Sequence, residues 1–123
     1  MKCDPAFMRL VFEQMPGYFF MKDRGSHFIG CNAAFAEFAG ETMESLIGKH
    51  ETDMPWAAEA EHFMRDDQRV MESGEGLYNY REPKHGDSII TNKVPFRDAS
   101  GAIVGVIGNF IIIPDDQKPA PGT

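Results

Sequence analysis

Two runs rich in β-branched residues near the end of the chain dominate its hydrophobic pattern. They read SIITNKVPF and AIVGVIGNFIII, and the polar turn RDASG between them predicts an antiparallel hairpin. The second run is apolar on both alternating faces, whereas a hairpin strand with one face in water alternates apolar with polar residues. We therefore expect both faces of this strand to be covered by other parts of the chain or by a partner.

The earlier part of the chain contains the patterns that predict these covering elements. Asp4 and Pro5 are a typical N-cap and first helical residue, and Pro16-Gly17 ends the helix that they begin. Asn32 has the position of a second N-cap. The elements predicted after the N-terminal helix are strands over 18–21 and 27–31, short helices over 33–39 and 42–47, a long helix over about 53–73 and a third strand over 77–83.

This order of elements predicts an α+β domain, in which five antiparallel strands form one sheet and helices gather on one of its faces. We divide the chain into an N-terminal helix (1–16), a folded domain (17–113) and a flexible, proline-rich tail or linker (114–123). The N-terminal helix is expected either to cover the outer face of the sheet or to pair with a second copy of the chain.

Composition narrows the classes of partner. The chain has 123 residues and a net charge of -7, without a clustered basic patch, so we expect no nucleic acid partner and no insertion into a membrane. No apolar run approaches the roughly 20 residues that a membrane span needs. Cys3 and Cys31 have neither metal-site nor disulfide spacing, which indicates reduced thiols in a cytoplasmic protein without a metal site.

Four segments in this order and spacing resemble a PAS domain: MPGYFFMKDRGSHFIGCNAAFAEFAG, ESLIGKHETDMPW, RDDQRVMESGEG and KVPFRDASGAIVGVIG. The resemblance covers residues 7–113 and implies the PAS fold for 17–113. It further implies a sensory, signal-transduction input module like those of bacterial histidine kinases, two-component systems, diguanylate cyclases and transcriptional regulators. Such modules have a small cavity between sheet and helices and usually act as dimers. Where relatives often end in Asp-Ile-Thr, this chain has Ile112-Ile113-Pro114.

The resemblance also bears on cofactors. The ligand histidine of haem-binding relatives has Phe63 as its counterpart here, one residue after His62. Flavin-adduct relatives carry a cysteine after an asparagine in the helical block, whereas Cys31 precedes Asn32 at the end of a strand. We therefore expect no cofactor, with haem and flavin as the alternatives.

A small-molecule cavity is expected to be mostly apolar with a few convergent polar groups. Asn92 is the predicted polar anchor, because it alternates with Ile90 and Val94, and Gly108 would leave room for a ligand. Asp67, on the apolar face of the long helix, should be hydrogen-bonded or charge-paired. The predicted lining, which could also be plain core, is Phe35, Trp56, Phe63, Asp67, Asn92, Val94, Val106, Gly108 and Phe110.

The orientation of two tyrosines stays open at this point. A two-residue turn at His85-Gly86 pairs Tyr78 with Lys93 and Tyr80 with Thr91, which would point both tyrosines outward. A turn longer by one residue would point them inward.

Three functions are compatible with these patterns. A sensory module would bind a small molecule and signal through dimeric contacts to an output domain or partner protein, while a ligand-free interaction module would only dimerise. An enzyme is not expected, because His62 and Asp67 lie on different helix faces and no nucleophile or phosphate loop accompanies them. The predicted dimer interface contains Phe7, Met8, Val11, Ile103, Ile107, Asn109 and Ile111.

Overall fold

A computed structural model describes residues 3–84 and 87–114 of the chain. The described part contains four α-helices, two single 3₁₀ turns and five strands. In chain order they are α1 (Pro5–Gln14), β1 (Tyr18–Asp23), β2 (Phe28–Cys31), α2 (Ala33–Phe38), α3 (Met43–Leu46), the 3₁₀ turns Glu51–Asp53 and Ala57–Glu59, α4 (Ala60–Ser73), β3 (Leu77–Lys84), β4 (Asp87–Arg97) and β5 (Ile103–Ile113).

The five strands form one antiparallel sheet in the order β2-β1-β5-β4-β3, which confirms the predicted α+β class. The central strand is β5, as its two apolar faces suggested. The predicted start of the long helix was wrong. The two 3₁₀ turns Glu51–Asp53 and Ala57–Glu59 precede α4, which begins only at Ala60. The turn at His85-Gly86 and the tail after Pro114 lie outside the described residues.

Asn32 joins β1 to the helical layer. Its side-chain oxygen accepts hydrogen bonds from the backbone N–H of Phe35, as a helix cap, and of Phe19 in β1. Its amide group donates to the Gly17 carbonyl at 3.0 Å. With only 2 % of its surface exposed, Asn32 has its polar groups satisfied in the interior.

The core lies between the sheet and α2–α4. Aromatic residues dominate its larger part, and each fully buried side chain of this kind contributes roughly 1.5–3 kcal/mol of burial free energy. A smaller cluster joins α4 to β5 through Val70, Met71 and Val106. The members of the larger cluster are Phe20, Phe28, Cys31, Phe35, Ala36, Ala39, Leu46, Met54 and Phe110.

The opposite face of the sheet, here called the outer face, is apolar and only partly covered by the described helices. Ile111 is 49 % exposed there, and Met21, Val94 and Ile107 lie side by side in neighbouring strands. Helix α1 has no buried residue. It contacts this face at the start of β1, where the Phe12 ring lies 5.3 Å from the ring of Phe19.

Ile103 was wrongly assigned to the outer face. The ladder between β4 and β5 pairs Phe96 with Gly105 but Arg97 with Ile103, so a β-bulge inserts one extra residue. The bulge turns Ile103 towards α4, where it packs against the smaller cluster of Val70, Met71 and Val106.

Among the described residues no helix is both long enough and apolar enough to cross a membrane.

Gly105 lies where β1 and β5 approach each other too closely for a side chain. A Cβ atom there would stand 1.9 Å from the Lys22 carbonyl oxygen. We expect Gly105→Ala to lower the free energy of unfolding in urea by about 3 kcal/mol, because the backbone must move. Gly108→Ala is the comparison, since its Cβ would meet the end of the Phe20 ring, which can turn. Equal stability of Gly105→Ala and the parent chain would contradict this close approach.

Candidate functional site

A cavity of about 590 Å³ lies between the inner face of the sheet and the helical layer. This volume is within the range of small-molecule pockets. The sheet side carries Ile89, Thr91 and Lys93 from alternate positions of β4. Eight aromatic side chains line it, and they are Phe20, Phe28, Phe35, Phe38, Trp56, Phe63, Tyr80 and Phe110.

Four buried charged residues form the polar end of this cavity, and we call them the charge cluster: Lys22 from β1, Glu51 from the first 3₁₀ turn, Asp67 from α4 and Lys93 from β4. The Lys22 ammonium donates to a Glu51 carboxylate oxygen at 2.8 Å and to Asp67. The Lys93 Nζ lies 2.9 Å from the other Asp67 oxygen. Trp56 donates its indole N–H to Glu51 at 3.0 Å. The cluster therefore ties the sheet to two parts of the helical layer.

Electrostatics keeps Lys22 charged in this buried position. Burial alone would lower the pKa of its ammonium group, but the carboxylates of Asp67 and Glu51 outweigh that effect and hold the pKa above its ordinary value of 10.5. The stabilising contribution of Lys22 is thus present below that value and is lost only as the pH rises through the raised pKa.

Asp67 meets the expectation for a carboxylate on an apolar helix face, because two ammonium groups pair with it. It is not part of the cavity lining, whereas Lys22 and Lys93, which pair with it, are. Its predicted place as a lining residue was therefore wrong, although it contacts two residues that do line the cavity.

The mouth of the cavity carries polar groups from α4 and β3. The His62 Nε2 atom lies 3.2 Å from the Tyr80 hydroxyl and 3.5 Å from an Asp66 carboxylate oxygen. Arg65 and Glu61 form an exposed ion pair beside them. His62 is thus the flank residue that its helix position indicated, and it also lines the cavity.

Asn92, the predicted polar anchor, is on the wrong face for that role. Its amide donates to the Asn109 side chain at 3.0 Å, and its oxygen accepts from the Asn79 backbone N–H at 2.9 Å. The prediction failed because β4 carries its polar residues, Thr91 and Lys93, on the inner face, and the more apolar ones on the outer face.

The remaining predicted lining residues divide into two groups. Phe35, Trp56, Phe63 and Phe110 line the cavity. The other three do not: Val94 is on the outer face, Val106 packs against α4, and the Phe20 ring fills the space above Gly108.

Tyr80 pairs with Thr91, which is the pairing expected for a two-residue turn. Its side chain nevertheless lines the cavity. The prediction that this pairing points Tyr80 outward was wrong, because it depended on the same inverted assignment of β4 faces. Tyr78 is 64 % exposed. Its pairing with Lys93 was also wrong, because a register shift between Leu77 and Tyr80 places Leu77 opposite Lys93.

Sequence reasoning missed Lys22, Glu51, Thr91 and Lys93 as site residues. A signal existed for the two lysines, since Lys22 alternates with Phe20, and Lys93 lies in the hairpin that forms the centre of the sheet. Glu51 had no such signal, because it occupies a short 3₁₀ turn without periodicity.

Phe63, rather than a histidine, stands where haem-binding relatives have their ligand, and no cysteine lines the described cavity. His62 is the single histidine lining the described cavity, and its Nε2 atom is within hydrogen-bond reach of Tyr80. Cys31 is part of the core rather than the lining, and burial, then the nearby Glu13 carboxylate, raise the pKa of its thiol. Within the described ranges, no group of three or more metal-ligating side chains occurs.

A five-stranded antiparallel sheet with a cavity under a helical layer defines an α+β module with a pocket between its layers. The family model described as PAS fold matches residues 12–113, and the chain belongs to the PAS family. No curated protein matches the chain.

Among solved structures, the chain is similar to VqmA bound to DPO, with 31% identity and a TM-score of 0.78 over 88% of this chain and 57% of that one. Two VqmA structures from Vibrio cholerae are also 31% identical. One is a complex with ligand and DNA (TM-score 0.79, 89% and 51% covered), and one is a dimer without target DNA (TM-score 0.80, 92% and 53% covered). The chain thus spans about half the length of these proteins.

The DNA complex corrects the expectation of no nucleic acid partner, which was wrong. VqmA, a relative at 31% identity, is described in a complex with ligand and DNA. The reasoning from net charge failed because it treated the charge of one module as a property of every protein that contains such a module.

The charge cluster predicts that removing a buried lysine destabilises the protein more than removing a lysine at the surface. Lys22→Met should lower the free energy of unfolding by about 3–5 kcal/mol, because Glu51 and Asp67 lose their shared buried cation. Lys49→Met is the matched control, since its ion pair with Glu41 is at the surface, where such pairs contribute little. Urea unfolding of both variants measures the difference. Similar losses in the two variants would contradict the role of the cluster.

Proposed function

We propose that this chain is a sensory PAS module that binds a small aromatic molecule in its cavity and signals through dimeric contacts to an output domain or partner protein. The observation that carries the proposal is the composition of the cavity, which combines aromatic walls with a polar end at Thr91 and Lys93. Pockets for small molecules have this composition, with few polar groups that fix orientation.

The aromatic walls favour a flat, unsaturated ligand. Phe35 is central to them, with ring centroids of Trp56 and Phe110 at 5.9 and 6.0 Å in edge-on orientations. Edge-on and offset ring contacts add about 0.5–1.5 kcal/mol beyond burial of area, so a further ring between these walls would gain the same type of contact.

The polar end favours a ligand with a hydrogen-bond acceptor. Lys93 has three N–H groups and is paired with Asp67 among the described residues. The Thr91 hydroxyl, two residues earlier in β4, also faces the cavity. Because VqmA is described bound to DPO, we propose DPO as the first compound to test.

The signal would leave the cavity through β4 and β5. Lys93 and Phe110 face the cavity, while Val94 and Asn109, their neighbours along the same strands, belong to the outer face. A ligand that shifts Lys93 or Phe110 therefore moves strands whose reverse side is exposed apolar surface.

Trp56 is the single tryptophan of the chain and lines the cavity, so its fluorescence reports binding. We expect DPO, or a small aromatic compound, to change this fluorescence in a saturable way. Thr91→Phe should weaken binding by at least about tenfold, because the added ring occupies the polar end of the cavity. Asn92→Ala, on the outer face, should bind as the parent chain does.

Native mass spectrometry of the same samples measures the stoichiometry. Unsaturable fluorescence changes, or binding that Thr91→Phe leaves intact, would argue against a ligand in this cavity.

The outer face supports a second function, self-association, which would remain in a module without a ligand. Ile107, Ile111 and Val94 are apolar neighbours on this face, and α1 exposes Met8 and Val11 as well as the half-buried Phe7. A symmetric dimer would bury both surfaces with one patch used twice. VqmA of Vibrio cholerae is described as a dimer.

We expect the intact chain to sediment as a dimer at micromolar concentration and Ile107→Lys to sediment as a monomer. A charge at the centre of a buried apolar contact has no partner there and opposes association. Ile47→Lys is the control, because Ile47 is 48 % exposed at the end of α3, in the helical layer. A monomeric parent chain, or a folded Ile107→Lys that still dimerises, would exclude this interface.

A further inference from the structure

We infer that the cavity selects uncharged ligands and that Asp67, although it does not line the cavity, determines this selectivity. The inference rests on the proposed ligand binding and adds the charge class of the ligand. It starts from the composition of the charge cluster, which holds two ammonium groups and two carboxylates at the polar end of the cavity.

The formal charges of this cluster cancel. The side chains of Lys22, Glu51, Asp67 and Lys93 are each no more than 4 % exposed, so water does not screen them. In such surroundings an additional charge without a partner is strongly unfavourable, whereas a hydrogen bond to a neutral group is not. The balance of the cluster therefore matters to anything that binds beside it.

Lys93 is one of three members of the cluster that line the cavity, together with Lys22 and Glu51. Its Nζ atom lies 2.9 Å from Asp67 and 5.6 Å from the centre of the Phe63 ring, and it lines the cavity. Because Asp67 already balances its charge, Lys93 offers N–H donors without offering a net positive charge. Removing the Asp67 charge would convert the same ammonium into an anion site.

Charges at the mouth of the cavity do not alter the charge balance at the buried end. Arg65 is paired with Glu61, and both are more than half exposed. Asp66 is buried, with 10 % of its side chain exposed, but it does not line the cavity, and its carboxylate lies 3.5 Å from His62. Glu59 and Arg81 are exposed, and His62 is 47 % exposed on its side chain. Water and salt screen charges in such positions, so their effect at the buried end is small.

Three compounds of nearly identical shape test the inference: benzamide, benzoate and benzamidine, which are neutral, anionic and cationic at neutral pH. Affinities come from titration of the intact ¹⁵N-labelled chain, with the indole N–H signal of Trp56 as the cavity reporter. We expect benzamide to bind at least about tenfold more tightly than either ion, because each ion adds an unbalanced charge beside the cluster.

Charge-changing variants should change the preferred compound. Asp67→Asn leaves the cluster with one excess positive charge, and benzoate should then bind best. Lys93→Gln leaves one excess negative charge, which should favour benzamidine. The double variant is balanced again and should restore the preference for benzamide. Glu44→Gln is the control, because it changes the net charge as Asp67→Asn does but on the exposed side of α3, and the preference should stay.

The outcomes separate this inference from the proposed function. Binding of all three compounds without a charge preference, or preferences that no variant changes, would overturn the inference alone. A Trp56 signal that none of the compounds shifts would overturn ligand binding and the inference with it. If Asp67→Asn does not fold, the other two variants still test the inference. Lys93→Gln must bind benzamidine best, and the double variant must not.

Discussion

The rest of this structure depends on the ion pair between Lys22 and Asp67. It places a charge from the centre of an apolar strand against one from the apolar face of α4, with Glu51 as the second carboxylate. Neither charge could remain buried alone, so the helix and the sheet must meet at this point.

Part of β4 reverses the usual relation between polarity and burial, whereas β1, β2 and β5 carry core residues on the inner face. In β4 the inward positions hold Thr91 and Lys93, and the outward ones hold Ile90 and Val94. A domain folded only for stability would place these residues the other way, since apolar burial is the main favourable term. Polar residues facing a cavity and apolar residues facing outward instead suit a module with two contacts, one with a ligand and one with another protein surface.

How much of this was predictable follows from which residues carry a local signal. Asp4 and Asn32 marked helix starts correctly, because caps depend on side chains a few residues away. The sheet and Phe35, Trp56, Phe63 and Phe110 as cavity residues followed from periodicity and resemblance. The charge cluster did not, because its four members come from four separate elements. Periodicity alone also assigned the faces of β4 in reverse, since it assumes that apolar positions point inward.

The bulge beside Gly105 connects these observations. Because the ladder shifts there, Ile103 faces α4 while Ile107 and Ile111 remain on the outer face. The strand therefore holds α4, and with it Asp67, at one end and presents the proposed dimer surface along the rest. A change in the charge cluster acts on α4 and β4 together, and both contact β5 directly. Ligand charge and subunit contact would then both depend on β5, which, like β4, connects the cavity directly with the outer face.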